Sequence, residues 1–176
     1  MTSPAPSRHK AGAPRSVWTA DLASPDATAS LAHAFAAIAT PGLCVLINGP
    51  VGAGKSFFAR NVIQTLMAQK GALEDVPSPT FTLVQTYELG PLDVWHADLY
   101  RLTDAGELIE LGLEQAFDSA LCLIEWPDRL GSLRPDGAVE LTMTPDPNHQ
   151  DRRHVRIDGP TDLITRLSSA MEIPPE

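Results

Sequence analysis

An α/β fold with a central mixed, mainly parallel sheet flanked by helices is predicted by three observations. Residues 43–47 (LCVLI) form a short, continuous apolar run, the pattern of a parallel strand covered on both faces. That run leads directly into the glycine-rich GPVGAGKS at 49–56, and an apolar helical face follows at once. A second run, LCLIE at 121–125, repeats the buried-strand pattern far downstream.

The remaining elements follow in order. Ser24-Pro25-Asp26 is a helix start with proline in the first turn, and Leu31, Phe35 and Ile38 continue it at helical spacing, so one helix leads into the first strand at 43–47. After the glycine loop, Phe57, Phe58, Val62, Ile63, Leu66 and Met67 form the apolar face of a helix that Gly71 can end. Pro77 and Pro79 mark an irregular segment. FTLVQTYEL (81–89) and LDVWHADLY (92–100), separated by Gly90-Pro91, then predict a hairpin. Thr103 is a candidate cap for a short helix with Glu107, Leu108 and Leu111, and a second helical piece, LEQAF, follows Gly112. Near the end, AVELTM and HVRID read as two further strands and TDLITRLSSAME as a final amphipathic helix. No internal repeat is present.

A length of 176 residues suits one domain with a substantial core. Residues 17–176 are assigned to it. Residues 1–16, where Arg8, His9, Lys10 and Arg15 sit among Pro, Ser, Gly and Ala, are too poor in apolar side chains to fold and predict a disordered tail. Mean hydropathy lies near zero and no apolar run is long enough for a membrane span, so a soluble protein without membrane contact is expected. The amino terminus lacks the apolar core of a secretory signal, which predicts a cytoplasmic location. Cys44 and Cys122 each lie in an apolar run and suggest neither a disulfide framework nor a metal site. A net charge of −9 disfavours autonomous binding to nucleic acid, which needs a basic face.

GPVGAGKS matches the phosphate-binding P-loop at every fixed position. Several backbone N–H groups must converge on one triphosphate, and Gly49, Gly52 and Gly54 permit the tight turn that aims them. Pro50, Val51 and Ala53 complete the loop. The following helix presents its free N–H groups, those of Ser56 and Phe57 included, at its positive dipole end. Lys55 supplies a mobile cation for the β- and γ-phosphates and the Ser56 hydroxyl a ligand for Mg²⁺. A ligand-free glycine turn would not require Lys-Ser at the helix start.

Mg²⁺ usually takes one or two carboxylates besides phosphate oxygens, so an acid should close a neighbouring strand. Asp98 and Glu125 both stand at the carboxyl end of a strand, where open α/β sheets bind ligands. Either could hold the ion while the other polarises the attacking water. A carboxylate at such a position also often caps a helix or pairs with an arginine, here Arg101 or Arg129. Thr80, in Ser78-Pro79-Thr80-Phe81, occupies the place of a segment that senses the γ-phosphate, or else begins a strand after a proline-rich connector. Trp126 either stacks on a base or belongs to the core. Strand alternation puts His96 on the same side as Asp98, where a hydrogen bond that orients the carboxylate or a loop fits better than catalysis. His149 and His154 have no ligand cluster around them.

Together GPVGAGKS, SPTFTLVQTYE, HADLYR and LIEWPDRL, in this order and spacing, resemble the TsaE family, formerly YjeE, over about residues 25–160. The resemblance implies a small P-loop ATPase using ATP and Mg²⁺ and acting with homologues of TsaD and TsaB. Those proteins, with TsaC supplying threonylcarbamoyl-adenylate, modify adenosine 37 of tRNA to N6-threonylcarbamoyladenosine, so tRNA is met only through the complex. Carried over by motif, Lys55 and Ser56 become phosphate and Mg²⁺ residues, Thr80 a switch-like and catalytic position, and Asp98 and Glu125 the metal and catalytic acids. Trp126 moves towards the nucleotide. Where the family has a Gly-Arg pair before its last strand, this chain has Asp151-Arg152-Arg153. The alternative to an ATPase is a small-molecule kinase, although no arginine-rich lid segment is evident. A GTP-dependent switch would need an Asn-Lys-x-Asp pattern, which the sequence lacks.

Overall fold

Both continuous apolar runs cross the centre of the protein as strands, β2 (Cys44–Asn48) and β5 (Leu121–Glu125), in a computed structural model that describes residues 12–172. Before β2 come β1 (Arg15–Leu22) and α1 (Pro25–Ile38). Between β2 and β5 lie α2 (Lys55–Gln69), β3 (Val84–Glu88), β4 (Asp93–Asp98), α3 (Gly106–Glu110) and α4 (Leu113–Ser119). A 3-10 segment, Pro127–Leu133, leaves β5, and β6 (Val139–Pro145), β7 (Arg153–Pro160) and α5 (Thr161–Glu172) complete the fold.

The strands form one sheet in the order β1-β7-β6-β2-β5-β4-β3. Its centre, β6-β2-β5-β4, is parallel, whereas β1 and β7 at one margin and β3 at the other pair antiparallel. The mixed, centrally parallel sheet is thus the predicted one, and β3 and β4 are the predicted hairpin. Alternation sends Val45, Ile47, Leu121 and Leu123 into one apolar layer with Leu31, Phe35, Phe58, Val62 and Leu167 of α1, α2 and α5. Leu46, Cys122 and Ile124 face the other layer, with Leu108, Leu113 and Phe117 of α3 and α4. The rings of Phe35 and Phe58 meet edge to face at 5.3 Å and fix α1 against α2. Ser24 caps α1 as its position predicts, accepting a 3.2 Å hydrogen bond from the Ala27 amide.

Four expectations are corrected. The first strand is β1, ahead of the first helix, so Arg15 and Ser16 belong to the sheet and the assigned tail boundary at residue 16 is too late. Backbone pairing with β7 orders this strand, and the Arg15 guanidinium adds a 2.8 Å bond to Asp158. Arg8, His9 and Lys10 lie outside the described residues. Strand β3 begins at Val84, because residues 79–83 turn and Leu83 takes a positive φ of 64°. Thr103 does not cap α3; Ala105 occupies that place and the Asp104 carboxylate accepts from the Gly106 amide. Phe57 leaves the buried face of α2 and exposes its ring beside the glycine loop.

Candidate nucleotide site

Strand register assembles the site. On parallel neighbours, Ile47 stands opposite Glu125 and Glu125 opposite Asp98, so the ends of β2, β5 and β4 lie level just where the chain turns into the glycine loop. Alternation also directs Glu125 and Asp98 to the α2 side, since Leu123 and Val94 face that layer two and four residues earlier. The loop itself is pressed against β6. A Cβ on Gly49, whose φ is 151°, would lie 2.6 Å from the Met143 carbonyl oxygen, while Gly52 borders open space.

Helix α2 starts at Lys55 with no side-chain cap, which leaves its first-turn amides directed at the loop. A cavity of about 380 Å³ lies there, between Gly52, Lys55, Ser56 and Phe57 on one side and Asp98, Tyr100, Glu125 and Trp126 on the other. Lys55 is 5% exposed, and its ammonium donates to the carbonyl oxygens of Gly49 (2.7 Å) and Pro50 (2.8 Å). It also sits 4.1 Å above the Trp126 ring. Burial pulls its pKa below the usual lysine value, opposed by the nearby Glu125 and Asp98.

The two acids are both buried and have different partners. Glu125 accepts the Ser56 hydroxyl on Oε2 at 2.8 Å and faces His96 Nε2 with Oε1 at 2.7 Å. Asp98 accepts the Thr80 hydroxyl (3.2 Å) and the Tyr100 amide (3.1 Å). His96 therefore orients a carboxylate as its strand position suggests, but that of Glu125 on the next strand. Neither acid pairs with Arg101 or Arg129: Arg129 donates to the Leu102 carbonyl, and Arg101 lies over the exposed Phe81 ring at 4.7 Å.

Thus Lys55, Ser56, Thr80, Asp98, Glu125 and Trp126, chosen from separate stretches of sequence, converge on one cavity and its rim. Trp126 is half-buried and takes a left-handed backbone conformation (φ 57°), and its ring lies tilted at 45° to that of Tyr100 with centroids 4.9 Å apart. Tyr100, two positions after Asp98, also lines the cavity, and no phosphate or metal motif in the sequence marks it. Arg153, which no motif singles out, donates to the carbonyls of Ala53 (2.8 Å) and Gly52 (3.2 Å) and so braces the loop from outside. Beside it a smaller cavity of about 250 Å³ is bounded by Pro25, Thr28, Phe57 and Asp151.

The residues fit a Mg²⁺–triphosphate. Their donors are hard oxygens next to uncapped amides and one ammonium, and an ion of this kind completes its shell with phosphate oxygens and water. Among the described residues no group of three or more His, Cys, Asp or Glu could hold a metal ion. None of the described helices is long and apolar enough to cross a membrane.

Comparison with known proteins bears on the fold and the family. In solved structures, Bacillus subtilis YdiB superposes with a TM-score of 0.67 over 93% of this chain and 97% of its own, at 22% identity, which shows the same fold. The tRNA threonylcarbamoyladenosine biosynthesis protein TsaE of Rickettsia bellii is 40% identical over 122 residues, 69% of this chain and 83% of that protein. The protein of the same name from Bacillus subtilis is 33% identical over 121 residues, 68% of this chain and 73% of its own. The family described as "Threonylcarbamoyl adenosine biosynthesis protein TsaE" matches residues 22–155, covering the glycine loop, both acids and the brace at Arg153, and the chain belongs to that family.

Proposed function

We propose that this chain is a Mg²⁺-dependent ATPase required for N6-threonylcarbamoyladenosine formation at adenosine 37 of tRNA, acting on a complex of TsaD and TsaB homologues. The observation that carries the proposal is the hydrogen bond from Ser56, at the start of the P-loop helix, to Glu125, with Asp98 in register beside it. The relatives' names place those proteins in this biosynthesis.

In the proposed cycle, the Lys55 ammonium exchanges the Gly49 and Pro50 carbonyls for β- and γ-phosphate oxygens, and the uncapped amides of α2 hold the same group. Ser56, Asp98 and Glu125 would hold Mg²⁺, which when bound would neutralise charge on the phosphate oxygens. Glu125 polarises the attacking water. Thr80, bonded to Asp98, links the residues 78–81 segment to the phosphate end of the site. Trp126 acts on the phosphate side, through its contact with Lys55. The net charge of −9 suits a protein partner better than direct contact with tRNA.

The test is reconstitution with TsaD and TsaB counterparts, tRNA and ATP. Sustained modification is expected with the parent chain and not with Lys55→Ala; equal turnover from both would defeat the proposal. A screen that finds phosphate transferred to a metabolite instead of released to water would favour a small-molecule kinase.

A further inference from the structure

We infer that His96 is a positioning residue for Glu125, fixing which carboxylate oxygen faces Ser56 and the Mg²⁺ side of the site; the inference rests on the ATPase reading above. Glu125 is 2% exposed and His96 1%, and they meet at 2.7 Å between neighbouring parallel strands. With so little of the carboxylate exposed, each of its oxygens gains from a protein partner. Oε2 has Ser56 and Oε1 has His96. An ionised carboxylate only accepts, so in this pair the Nε2–H donates.

The other ring nitrogen makes the arrangement asymmetric. Nδ1 of His96 is buried and has no hydrogen-bond partner among the described residues, where the polar tie of the ring is to Glu125. A buried polar pair is often no more stabilising than an apolar pair of like volume, so stability alone does not account for this one. What the pair supplies is direction. Rotation of the Glu125 carboxylate away from Ser56 would break both of its bonds at once, so His96 on β4 holds a group on β5 towards a hydroxyl on α2.

The test exploits the reach of amide side chains. The amide nitrogen of glutamine in His96→Gln can take the place of Nε2, whereas that of asparagine in His96→Asn lies near the position of Nδ1. Both variants, with His96→Leu, are compared in two measurements: equilibrium binding of a fluorescent ATP analogue as Mg²⁺ is titrated, and steady-state hydrolysis. A hydrogen bond to a charged group is worth about tenfold or more in an equilibrium. His96→Asn and His96→Leu are therefore expected to need about tenfold more Mg²⁺ for half-maximal binding. Their kcat should fall by about the same factor, while binding in EDTA stays at the parent level. His96→Gln should restore both properties. In a Glu125→Gln background, replacing His96 should add little further loss, a comparison that holds even if the leucine variant fails to fold. Equal Mg²⁺ midpoints for His96→Gln and His96→Asn, with only thermal stability changed, would overturn the positioning role. A parent chain that binds no ATP analogue would instead overturn the ATPase reading and this inference with it.

Discussion

Replacing Gly49 by alanine should unfold the nucleotide loop from behind, and its cost can be worked from the contacts. The added Cβ would lie 2.6 Å from the Met143 carbonyl oxygen on β6 and 2.9 Å from the Ala53 Cβ. The first neighbour is backbone within a paired strand and cannot swing aside as a flexible side chain would. Forcing a methyl into such a contact costs about 1–3 kcal/mol, and holding alanine at a φ of +151° costs about 1–3 more. The sum, about 2–6 kcal/mol, is a large fraction of the roughly 5–15 kcal/mol that holds a typical domain folded. Gly52→Ala is the control: its φ is +80° but no heavy atom lies within 4 Å of the new Cβ, so only backbone strain of about 1–2 kcal/mol remains. Because Gly52 lines the larger cavity, that variant should stay folded yet bind ATP poorly. Urea denaturation followed by circular dichroism would rank the two, with the midpoint for Gly49→Ala the lower. A Gly49→Ala protein as stable as Gly52→Ala would refute the claim that the loop is packed immovably against β6.

Three further outcomes are expected. Arg153→Ala should weaken ATP binding about tenfold with little change in thermal stability, since the guanidinium's bonds to the Gly52 and Ala53 carbonyls order the loop; an unchanged dissociation constant would show that the loop keeps its shape unaided. Ser24→Ala should cost about 1 kcal/mol, read as a lower denaturation midpoint, through loss of the cap on the Ala27 amide. Burial pushes the Cys122 thiol up to about 12 and raises that of Cys44 well above its usual value. Both should therefore resist alkylation at pH 8 until urea unfolds the chain. Unfolded thiols ionise near pH 9 while the folded Cys122 keeps its proton, so their contribution to stability is complete below pH 9 and is lost as pH rises towards 12.

Much of the site was legible because its chemistry fixes residue type and strand position together. Lys55 and Ser56 were marked by the loop motif, and Asp98 and Glu125 by standing at the ends of strands. What the sequence could not supply was register. That Glu125 meets both Ser56 and His96, leaving Asp98 for Thr80, depends on Asp98 lying opposite Glu125 in the sheet, and no local pattern encodes that pairing. Tyr100 and Arg153 escaped for the same reason, because each matters through a neighbour distant in sequence. Strand β1 did carry a local signal. Trp18, Ala20 and Leu22 alternate with more exposed residues, but the strand adjoins a segment of tail-like composition that masked it. The Phe57 ring follows helical spacing yet faces the cavity, since a helix that begins at a ligand site gives its first turn to the ligand.

The closing strand pair also sets an order of events. Arg15 and Asp158, joined across β1 and β7, are 143 residues apart, and the Thr161 amide donates to the Pro14 carbonyl at the same seam. During synthesis β1 is made well before β7 and lacks this pairing until the residues between the two strands exist. Because Arg153 at the start of β7 also braces the glycine loop, the nucleotide cradle reaches its final shape only when this last strand arrives. An incomplete chain could thus form the P-loop sequence and its helix and still lack the support that makes them a binding site.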